Sequence, residues 1–364
     1  MVALTDQLRR VGWQQIGLVA FSDSDDWRHC GSTDRAFTIS AIRPAEVWRD
    51  LLRFASIASK YESLFIVGTD ILDGAYSVWH SVFTLQLARV GQAAGAHTSV
   101  ISFSVNDGLT PRILEAFRDL PQAVRLVSRD PVSNRRLAAH LHRAVVLSAD
   151  VAFLLQPAEA TPSVETVTQW GRNEKTSGRT VVGLAVSSEW LKPLYGLTTE
   201  RVIAECARLI SGLTRGPTAV SVALVAHDPR GDPSDRDLAG MILEALPAEV
   251  RLHCLNVPPC NAREMKGICS ALDAALSGRM HFAIACLGQG VPVACVTYQD
   301  KFQGLFEHFG LDGMTVEIRE AFLEDKLTSL AEGLIRRSPD LRRQIAERLD
   351  SVLRLALVNV PSPS

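Results

Sequence analysis

The sequence has no large surplus of charge of either sign and no long uninterrupted hydrophobic run. Its formal net charge is −2 over 364 residues, which disfavours a general nucleic-acid-binding protein, since that class usually carries a strongly basic face. The longest apolar run, around residues 282–297, contains Gly288, Gly290 and Pro292 and is therefore not a membrane span. The N-terminal residues lack the apolar stretch of a secretory signal peptide. Together these features predict a cytoplasmic protein.

The cysteines show none of the spacings that bind zinc or form redox pairs. Seven are present without a CxxC motif, at positions 30, 206, 254, 260, 269, 286 and 295. Their number is odd and several lie within apolar runs, so we interpret them as buried free thiols in a reducing compartment. No Cys/His cluster has zinc-ligand spacing, and the sequence predicts no metal site.

Three common catalytic signatures are also missing. Neither a glycine-rich P-loop nor a GxGxxG pattern follows any predicted strand. No GxSxG nucleophile elbow is present either. These absences argue against a kinase, a Rossmann dehydrogenase and a serine hydrolase.

Short apolar runs alternate with amphipathic stretches along the chain, which is typical of an α/β protein with parallel sheets. LFIVG (64–68), AVSVALVAH (219–227) and VRLHCL (250–255) are examples of predicted strands. Residues 156–179 are rich in Thr, Ser, Pro and charge without clear periodicity, as in a linker. Two α/β units joined in this way would place a ligand cleft between them, facing the carboxyl ends of the strands.

These patterns predict four segments. They are an N-terminal α/β domain (1–156), a linker (157–179), a C-terminal α/β domain (180–318) and a helical tail (319–364).

The densest group of chemically capable residues lies in SGRMHFAIACLGQGVPVACVTYQDK (277–301). Arg279 and His281 come directly after a predicted strand, at the start of a predicted helix. Helix N–H groups, the helix dipole and the guanidinium together favour an anion there. His281 could exchange a proton near neutral pH, and Lys301 could add a second cation. The simpler alternative is that Arg279 pairs with a surface carboxylate and His281 is an ordinary helix-start residue.

Further candidates follow other predicted strands. Arg129 ends a strand in SRDPVSNRRL, where an Asp cap and an ordinary basic helix face are the simpler interpretation. Asp70 and Asp73 close a strand in a turn, where they could orient sugar hydroxyls or act as a base, although Asp-Gly turns are common. His227 is predicted to end a strand at the presumed cleft. Glu264 is predicted to form a helix capping box with the Asn at 261.

Taken in order, these segments resemble the polysaccharide pyruvyl transferase family. IVGTDILDGAY is similar to that family's glycine-rich strand end and acidic turn, SRDPVSNRRL to its Arg-Asp-x-x-Ser motif, and SADVAF to a strand that follows. The most specific likeness is residues 272–311, which resemble its Arg-x-His helix, its GvPv strand and its tyrosine–lysine segment. Glu264 also lies where the family tends to place an acid. The resemblance covers roughly residues 4–315.

The resemblance implies two Rossmann-like domains in a glycosyltransferase-B-like arrangement with an interdomain cleft. It also implies transfer of a pyruvyl group from phosphoenolpyruvate, the donor substrate, to sugar hydroxyls of a cell-surface or exopolysaccharide precursor, which gives a pyruvate ketal. The partners would be phosphoenolpyruvate and a saccharide, and a lipid-linked acceptor would make the protein peripheral to the membrane. Carried over by position, Arg279 and His281 would be the donor-site pair and Arg129 a supporting cation.

This chemistry assigns a role to each candidate. Arg279, Lys301 and helix N–H groups would bind the phosphate and carboxylate, and His281 would protonate the methylene carbon. Asp70 or Asp73 would be the base for the sugar hydroxyl. His227 and Glu264 would contact substrate.

Two alternatives remain open at this point. A nucleotide-sugar-dependent glycosyltransferase of the same architecture would hold a diphosphate at the helix that starts at Arg279, with Glu264 near a ribose. A non-catalytic family member is the second alternative, because the family's usual first strand and Gly-Asn-x-Gly-Asp loop are not found. Residues 4–12 look like the end of the helix that would follow that loop.

Overall fold

The chain forms two compact units. The computed structural model describes residues 1–21, 33–39, 47–297 and 301–363, with Ala36 and Lys301 described by their backbone alone. The first unit comprises residues 1–155, 303–308 and 351–364, and the second comprises residues 156–302 and 309–350. The segment predicted as a separate tail, 319–364, thus contributes to both units.

The first unit is an α/β unit with parallel strands. Its elements are α1 (Val2–Arg10), β1 (Gly17–Ala20), β2 (Arg35–Thr38), α2 (Val47–Ala58), β3 (Ser63–Thr69), α3 (Val78–Ala93), β4 (His97–Phe103), α4 (Pro111–Arg118), β5 (Arg125–Ser128), α5 (Pro131–His140), β6 (Val146–Leu147) and a 3₁₀ helix, Val151–Leu154. Strands β3 to β6 form one sheet in chain order, and β1 and β2 form a separate parallel pair. Phe103 on β4 and Phe117 on α4 are fully buried in the core between sheet and helices.

The second unit contains a longer parallel sheet. Its elements are α6 (Pro162–Thr176), β7 (Thr180–Ala185), α7 (Thr199–Arg215), β8 (Val220–Val225), α8 (Asp235–Ala245), α9 (Ala248–Arg251), β9 (Cys254–Asn256), α10 (Ala262–Cys269), β10 (Ala274–Ser277), α11 (Met280–Leu287), β11 (Val293–Thr297), α12 (Lys301–Glu307), β12 (Thr315–Glu317), α13 (Ile318–Leu323) and α14 (Lys326–Leu357). Helices α12 and α14 begin in this unit, and their last residues belong to the first.

The strand order of this sheet is β9-β8-β7-β10-β11-β12, with every pair parallel. The chain starts at β7, builds outward through β8 and β9, and then returns to the other side of β7 with β10. Rossmann folds have this doubly wound order, and their ligands bind at the carboxyl ends of the strands where the direction reverses. The strand order therefore predicts a ligand site at the carboxyl ends of β7 and β10.

Three details of the sequence interpretation are wrong. The linker predicted over 157–179 contains helix α6, whose buried residues are Val164, Val167 and Gly171. The strand predicted over 250–255 begins only at Cys254, because the preceding residues form the short helix α9. Strand β8 ends at Val225, before the histidine predicted to end it.

The described cysteines are free thiols, as predicted. Four are buried (Cys206, Cys269, Cys286 and Cys295), while Cys254 and Cys260 are partly exposed and Cys30 lies outside the described residues. Burial raises the pKa of the Cys206 thiol to about 12. Among the described helices, none combines the length and apolar character that crossing a bilayer would require.

Candidate active site

Polar residues follow three neighbouring strands of the second unit. Ser188 follows β7, His227 and Asp228 follow β8, and Arg279 follows β10. Because β7 lies between β8 and β10 and all three strands are parallel, their carboxyl ends meet at one edge of the sheet. This edge is the reversal point described above, so the sequence-predicted residues Arg279 and His227 lie where the topology favours a ligand.

Arg279 is held in a buried bidentate ion pair with Asp235. Its Nε donates to Asp235 Oδ2 at 2.8 Å and its Nη2 to Asp235 Oδ1 at 2.6 Å, and Nη2 also donates to Ser188 Oγ at 3.1 Å. Asp235 is fully buried. Its carboxylate also accepts from the backbone N–H groups of Ser188 and Asp228 at 2.8 and 2.9 Å. Asp235 therefore fixes the guanidinium relative to the ends of β7 and β8.

Asp235 is a part of the candidate site that the sequence pattern does not reveal. It stands directly after Ser234, the N-cap of α8, where an acid is common because it complements the helix dipole. Its partner Arg279 is 44 residues further along the chain. Only the strand order, which brings the start of α8 beside the end of β10, shows what the carboxylate does.

The start of α11 offers donors to an anion. Arg279 is the N-cap of this helix, and its side chain makes no capping hydrogen bond, since a guanidinium has no acceptor atom. The first-turn N–H groups are thus not capped by that side chain and lie at the positive end of the helix. His281 lies in this first turn and is exposed, so its ring is accessible to a ligand.

The turn that leads into α11 passes directly over a buried tryptophan. A Cβ atom at Gly278 would lie 2.3 Å from a ring carbon of Trp190, so a side chain larger than that of glycine does not fit there. Trp190 is 1% exposed and also packs against Phe322. This close approach fixes the backbone immediately before Arg279.

Two histidine rings are stacked beside this turn. The rings of His227 and His281 are nearly parallel, with centroids 6.2 Å apart and planes 9° from each other. Burial lowers the pKa of His227 to about 4, with smaller contributions from the positive charges of His281 and Arg279, while Asp235 and Asp228 oppose the shift. His227 is therefore neutral at physiological pH, and its side chain is a stacking and hydrogen-bonding surface rather than a cation.

The lowered pKa of His227 predicts a loss of stability in acid. Between pH 6.5 and about 4 the unfolded state binds a proton that the folded state excludes, so the free energy of unfolding falls as pH falls through this range. The loss is at most about 3 kcal/mol from this group. The loss is measured by urea unfolding of the wild type and of His227→Gln at several pH values between 6.5 and about 4. The wild type is expected to lose more stability than the variant, and parallel profiles would contradict the assignment.

Arg129 lies in the first unit within a buried polar network. Its Nε donates to Ser104 Oγ at 2.7 Å and its Nη1 to Asp150 Oδ2 at 2.8 Å. Ser104 Oγ in turn donates to Asp130 Oδ2 at 2.7 Å. Burial by itself would lower the pKa of Arg129, but the carboxylates of Asp150, Asp70 and Asp130 together raise it. Arg129 is 3% exposed, so it organises this network rather than presenting an open cation.

The two candidate bases of the first unit differ in accessibility. Asp70 is half-buried and its Oδ2 accepts from the hydroxyl of Tyr76 at 3.0 Å. Thr69, at the end of β3, has a φ of 44°, a left-handed conformation that is uncommon for a β-branched residue and turns the backbone just before Asp70. Asp73 is buried, and its Oδ1 accepts from the backbone N–H of Ala75 at 2.9 Å. Asp70 is thus the more accessible carboxylate.

The remaining candidates fall elsewhere. Glu264 forms the predicted capping box, accepting from the backbone N–H of Asn261 at 2.8 Å while the Asn261 side chain caps α10. Lys301 begins α12, but its side chain lies outside the described part of the chain. Within that described part, no group of three or more His, Cys, Asp and Glu side chains is arranged to hold a metal ion.

Several solved structures share this fold over nearly the whole chain. MnaA of S. aureus, solved with UDP, has a TM-score of 0.63 and 12% identity, covering 96% of this chain and 87% of its own. The UDP-GlcNAc 2-epimerase of Neisseria meningitidis bound to UDP-GlcNAc has a TM-score of 0.57 and 9% identity, covering 98% and 95%. The lipopolysaccharide-biosynthesis glycosyltransferase WaaG has a TM-score of 0.53 and 12% identity, covering 97% and 92%. These likenesses confirm the predicted fold class, two Rossmann-like units of glycosyltransferase-B-like type.

Sequence comparison supplies the family. No curated protein matches the chain in sequence. The family model for polysaccharide pyruvyl transferases matches residues 22–300, which is most of the chain and takes in part of each unit. The match contains the Arg279–His281 turn, the Asp235 that holds it and the Asp70 turn of the first unit. The chain belongs to the polysaccharide pyruvyl transferase family.

Proposed function

We propose that the protein transfers a pyruvyl group from phosphoenolpyruvate to two hydroxyls of a sugar in a polysaccharide precursor, forming a pyruvate ketal. The observation that carries this proposal is the start of α11. There the oriented guanidinium of Arg279, the helix N–H groups and the exposed imidazole of His281 lie together at the reversal point of the sheet. Family membership supports the reaction class.

The donor requires a site for two anionic groups, a phosphate and a carboxylate. We assign the phosphate to the first-turn N–H groups of α11, where the helix dipole favours negative charge. Asp235 neutralises Arg279, so the guanidinium acts chiefly as an oriented donor of hydrogen bonds rather than as an isolated charge. Its Nη1, which is 3.8 Å from Asp228 Oδ2, is the nitrogen that we assign to the bound donor.

The reaction needs an acid and a base. We assign the acid to His281, which protonates the methylene carbon of phosphoenolpyruvate and leaves positive charge on the adjacent carbon. One sugar hydroxyl adds to that carbon, and a second then displaces the phosphate. The two sugar hydroxyls together lose two protons. One of these compensates for the proton added to the methylene carbon, which becomes the methyl group of the ketal. The other leaves with inorganic phosphate. We assign the base to Asp70, the more accessible of the predicted pair.

The proposed location is the cytoplasm, where a saccharide precursor would be modified. The free thiols of the described cysteines are compatible with a reducing compartment. The acceptor is proposed as a cell-surface polysaccharide precursor.

A ligand screen separates this proposal from a nucleotide-sugar glycosyltransferase. Thermal unfolding is measured with phosphoenolpyruvate and, as matched competitors, UDP and UDP-GlcNAc, the ligands present in two of the similar structures. Stabilisation by phosphoenolpyruvate supports the proposal, because a ligand that binds the folded state raises the unfolding temperature. Stabilisation by UDP-GlcNAc alone would contradict it. A protein that responds to neither and releases no phosphate in the presence of acceptor would be the non-catalytic alternative.

A further inference from the structure

Helix α2 of the first unit carries two large apolar side chains that point into solvent. Trp48 is 77% exposed and Leu52 is 72% exposed. They are four residues apart and therefore lie one above the other on the same face of the helix. The opposite face packs into the core through Phe54 and Ile57. An exposed aromatic and an exposed leucine side by side are not required by the fold.

Within α2, whose residues are all described, the exposed charged side chains are both positive. Arg49 and Arg53 are exposed and are also four residues apart, so they form a second row beside Trp48 and Leu52. Lys60 and Glu62 follow the helix and are also exposed, with opposite charges. Asp50, the acid of α2, is 7% exposed and faces inward. This basic apolar face thus consists of Trp48, Leu52, Arg49 and Arg53.

We propose that the basic apolar face of α2 binds the surface of an anionic lipid bilayer. Helices that lie in the membrane interface combine apolar and aromatic residues with Lys and Arg in this way, and tryptophan prefers the headgroup level. Trp48 and Leu52 insert among the headgroups, and Arg49 and Arg53 contact lipid phosphates. The net charge of the chain is −2, so the attraction is local to this face rather than a property of the whole protein.

Charge argues against a second copy of the chain as the occupant. A two-fold dimer interface places the same patch on both subunits. That arrangement would bring Arg49 and Arg53 of one subunit close to the same residues of the other, and like charges in contact disfavour association. An anionic surface complements both the apolar pair and the arginines. This inference stands on α2 alone and does not depend on the proposed reaction.

Sedimentation of the full-length protein with vesicles tests the proposal. One set is phosphatidylcholine alone, and the other is phosphatidylcholine and phosphatidylglycerol in equal parts. The wild type is expected to bind the anionic set and to lose binding as salt rises. Arg49→Gln with Arg53→Gln is expected to weaken binding about 25-fold at low salt, roughly fivefold for each charge. Trp48→Glu with Leu52→Glu is expected to abolish it.

A matched control is available in the second unit. Leu252 is also 77% exposed but lies near both Arg251 and Glu249, a mixed-charge neighbourhood, so Leu252→Glu is expected to bind like the wild type. Circular dichroism checks that each variant is folded. The proposal would be overturned if the wild type did not bind the anionic vesicles, or bound neutral vesicles equally well. It would also be overturned if Leu252→Glu lost as much binding as Trp48→Glu with Leu52→Glu. A further contradicting result would be a wild-type dimer in light scattering that becomes a monomer in the Trp48→Glu, Leu52→Glu variant.

Discussion

Replacing His281 with alanine is expected to lower the rate of pyruvyl transfer by about 10²–10⁴-fold, the usual contribution of a positioned general acid. His281 is exposed in the first turn of α11, so its loss opens no cavity and the unfolding temperature is expected to stay close to that of the wild type. The measurement is phosphate release from phosphoenolpyruvate in the presence of acceptor. Added imidazole is expected to restore part of the rate, because it can replace a missing proton donor.

His142→Ala is the matched control for this experiment. His142 is also exposed but lies in the first unit after α5, and its loss is expected to leave the rate unchanged. A near-normal rate in His281→Ala would contradict the assignment of the acid. A lowered rate that imidazole does not restore, together with a lower unfolding temperature, would point to a structural role instead.

Breaking the pair between Arg279 and Asp235 is expected to cost about 3–5 kcal/mol of stability, because each partner would leave a buried charge without its counter-ion. Arg279 has 10% of its side chain exposed and Asp235 none, and their closest N–O distance is 2.6 Å. Arg279→Ala and Asp235→Ala are both expected to lower the free energy of urea unfolding by this amount. The double variant is expected to lose less than the sum of the two, since neither charge remains.

An exposed ion pair supplies the comparison. Arg343 and Asp340 also lie 2.6 Å apart, but their side chains are 71% and 77% exposed. Exposed pairs contribute little, so Arg343→Ala is expected to leave the unfolding curve almost unchanged. Additive losses in the Arg279 and Asp235 variants would show that the two side chains are not coupled.

Activity of Asp235→Asn separates orientation from stability. Asparagine keeps the shape of the side chain and part of its hydrogen bonding, but it cannot accept the bidentate ion pair of Arg279. If Asp235 positions the guanidinium for the donor, this variant is expected to have a raised KM for phosphoenolpyruvate at a temperature where it is fully folded. An unchanged KM in the folded variant would restrict Asp235 to a structural role.

The sequence predicts much of the site because strand ends can be recognised locally. The apolar strand before Arg279 and the helix after His281 are confirmed as β10 and α11, and the capping box of Glu264 is confirmed at α10. Each of these features depends on residues within one turn or one strand. Their side-chain chemistry and local periodicity are visible in a short window of sequence.

The features that the sequence does not predict depend on distant contacts. From the sequence, Arg279 has either a ligand or a surface carboxylate as its partner. The buried pair with Asp235 changes that expectation. Helix α6 has only a narrow apolar face, against which α10 packs through Gly267, so its composition resembles that of a linker. The return of residues 303–308 and 351–364 to the first unit leaves no local signal either.

The measurement that tests the central claim most directly is mass spectrometry of saccharide precursors incubated with the protein and phosphoenolpyruvate. The proposed reaction predicts a product heavier than the acceptor by one pyruvic acid less one water, formed together with an equal amount of inorganic phosphate. It also predicts that His281→Ala forms this product about 10²–10⁴-fold more slowly than the wild type. A wild-type protein that transfers a sugar from UDP-GlcNAc to the same acceptor, and leaves phosphoenolpyruvate unconsumed, would contradict the account.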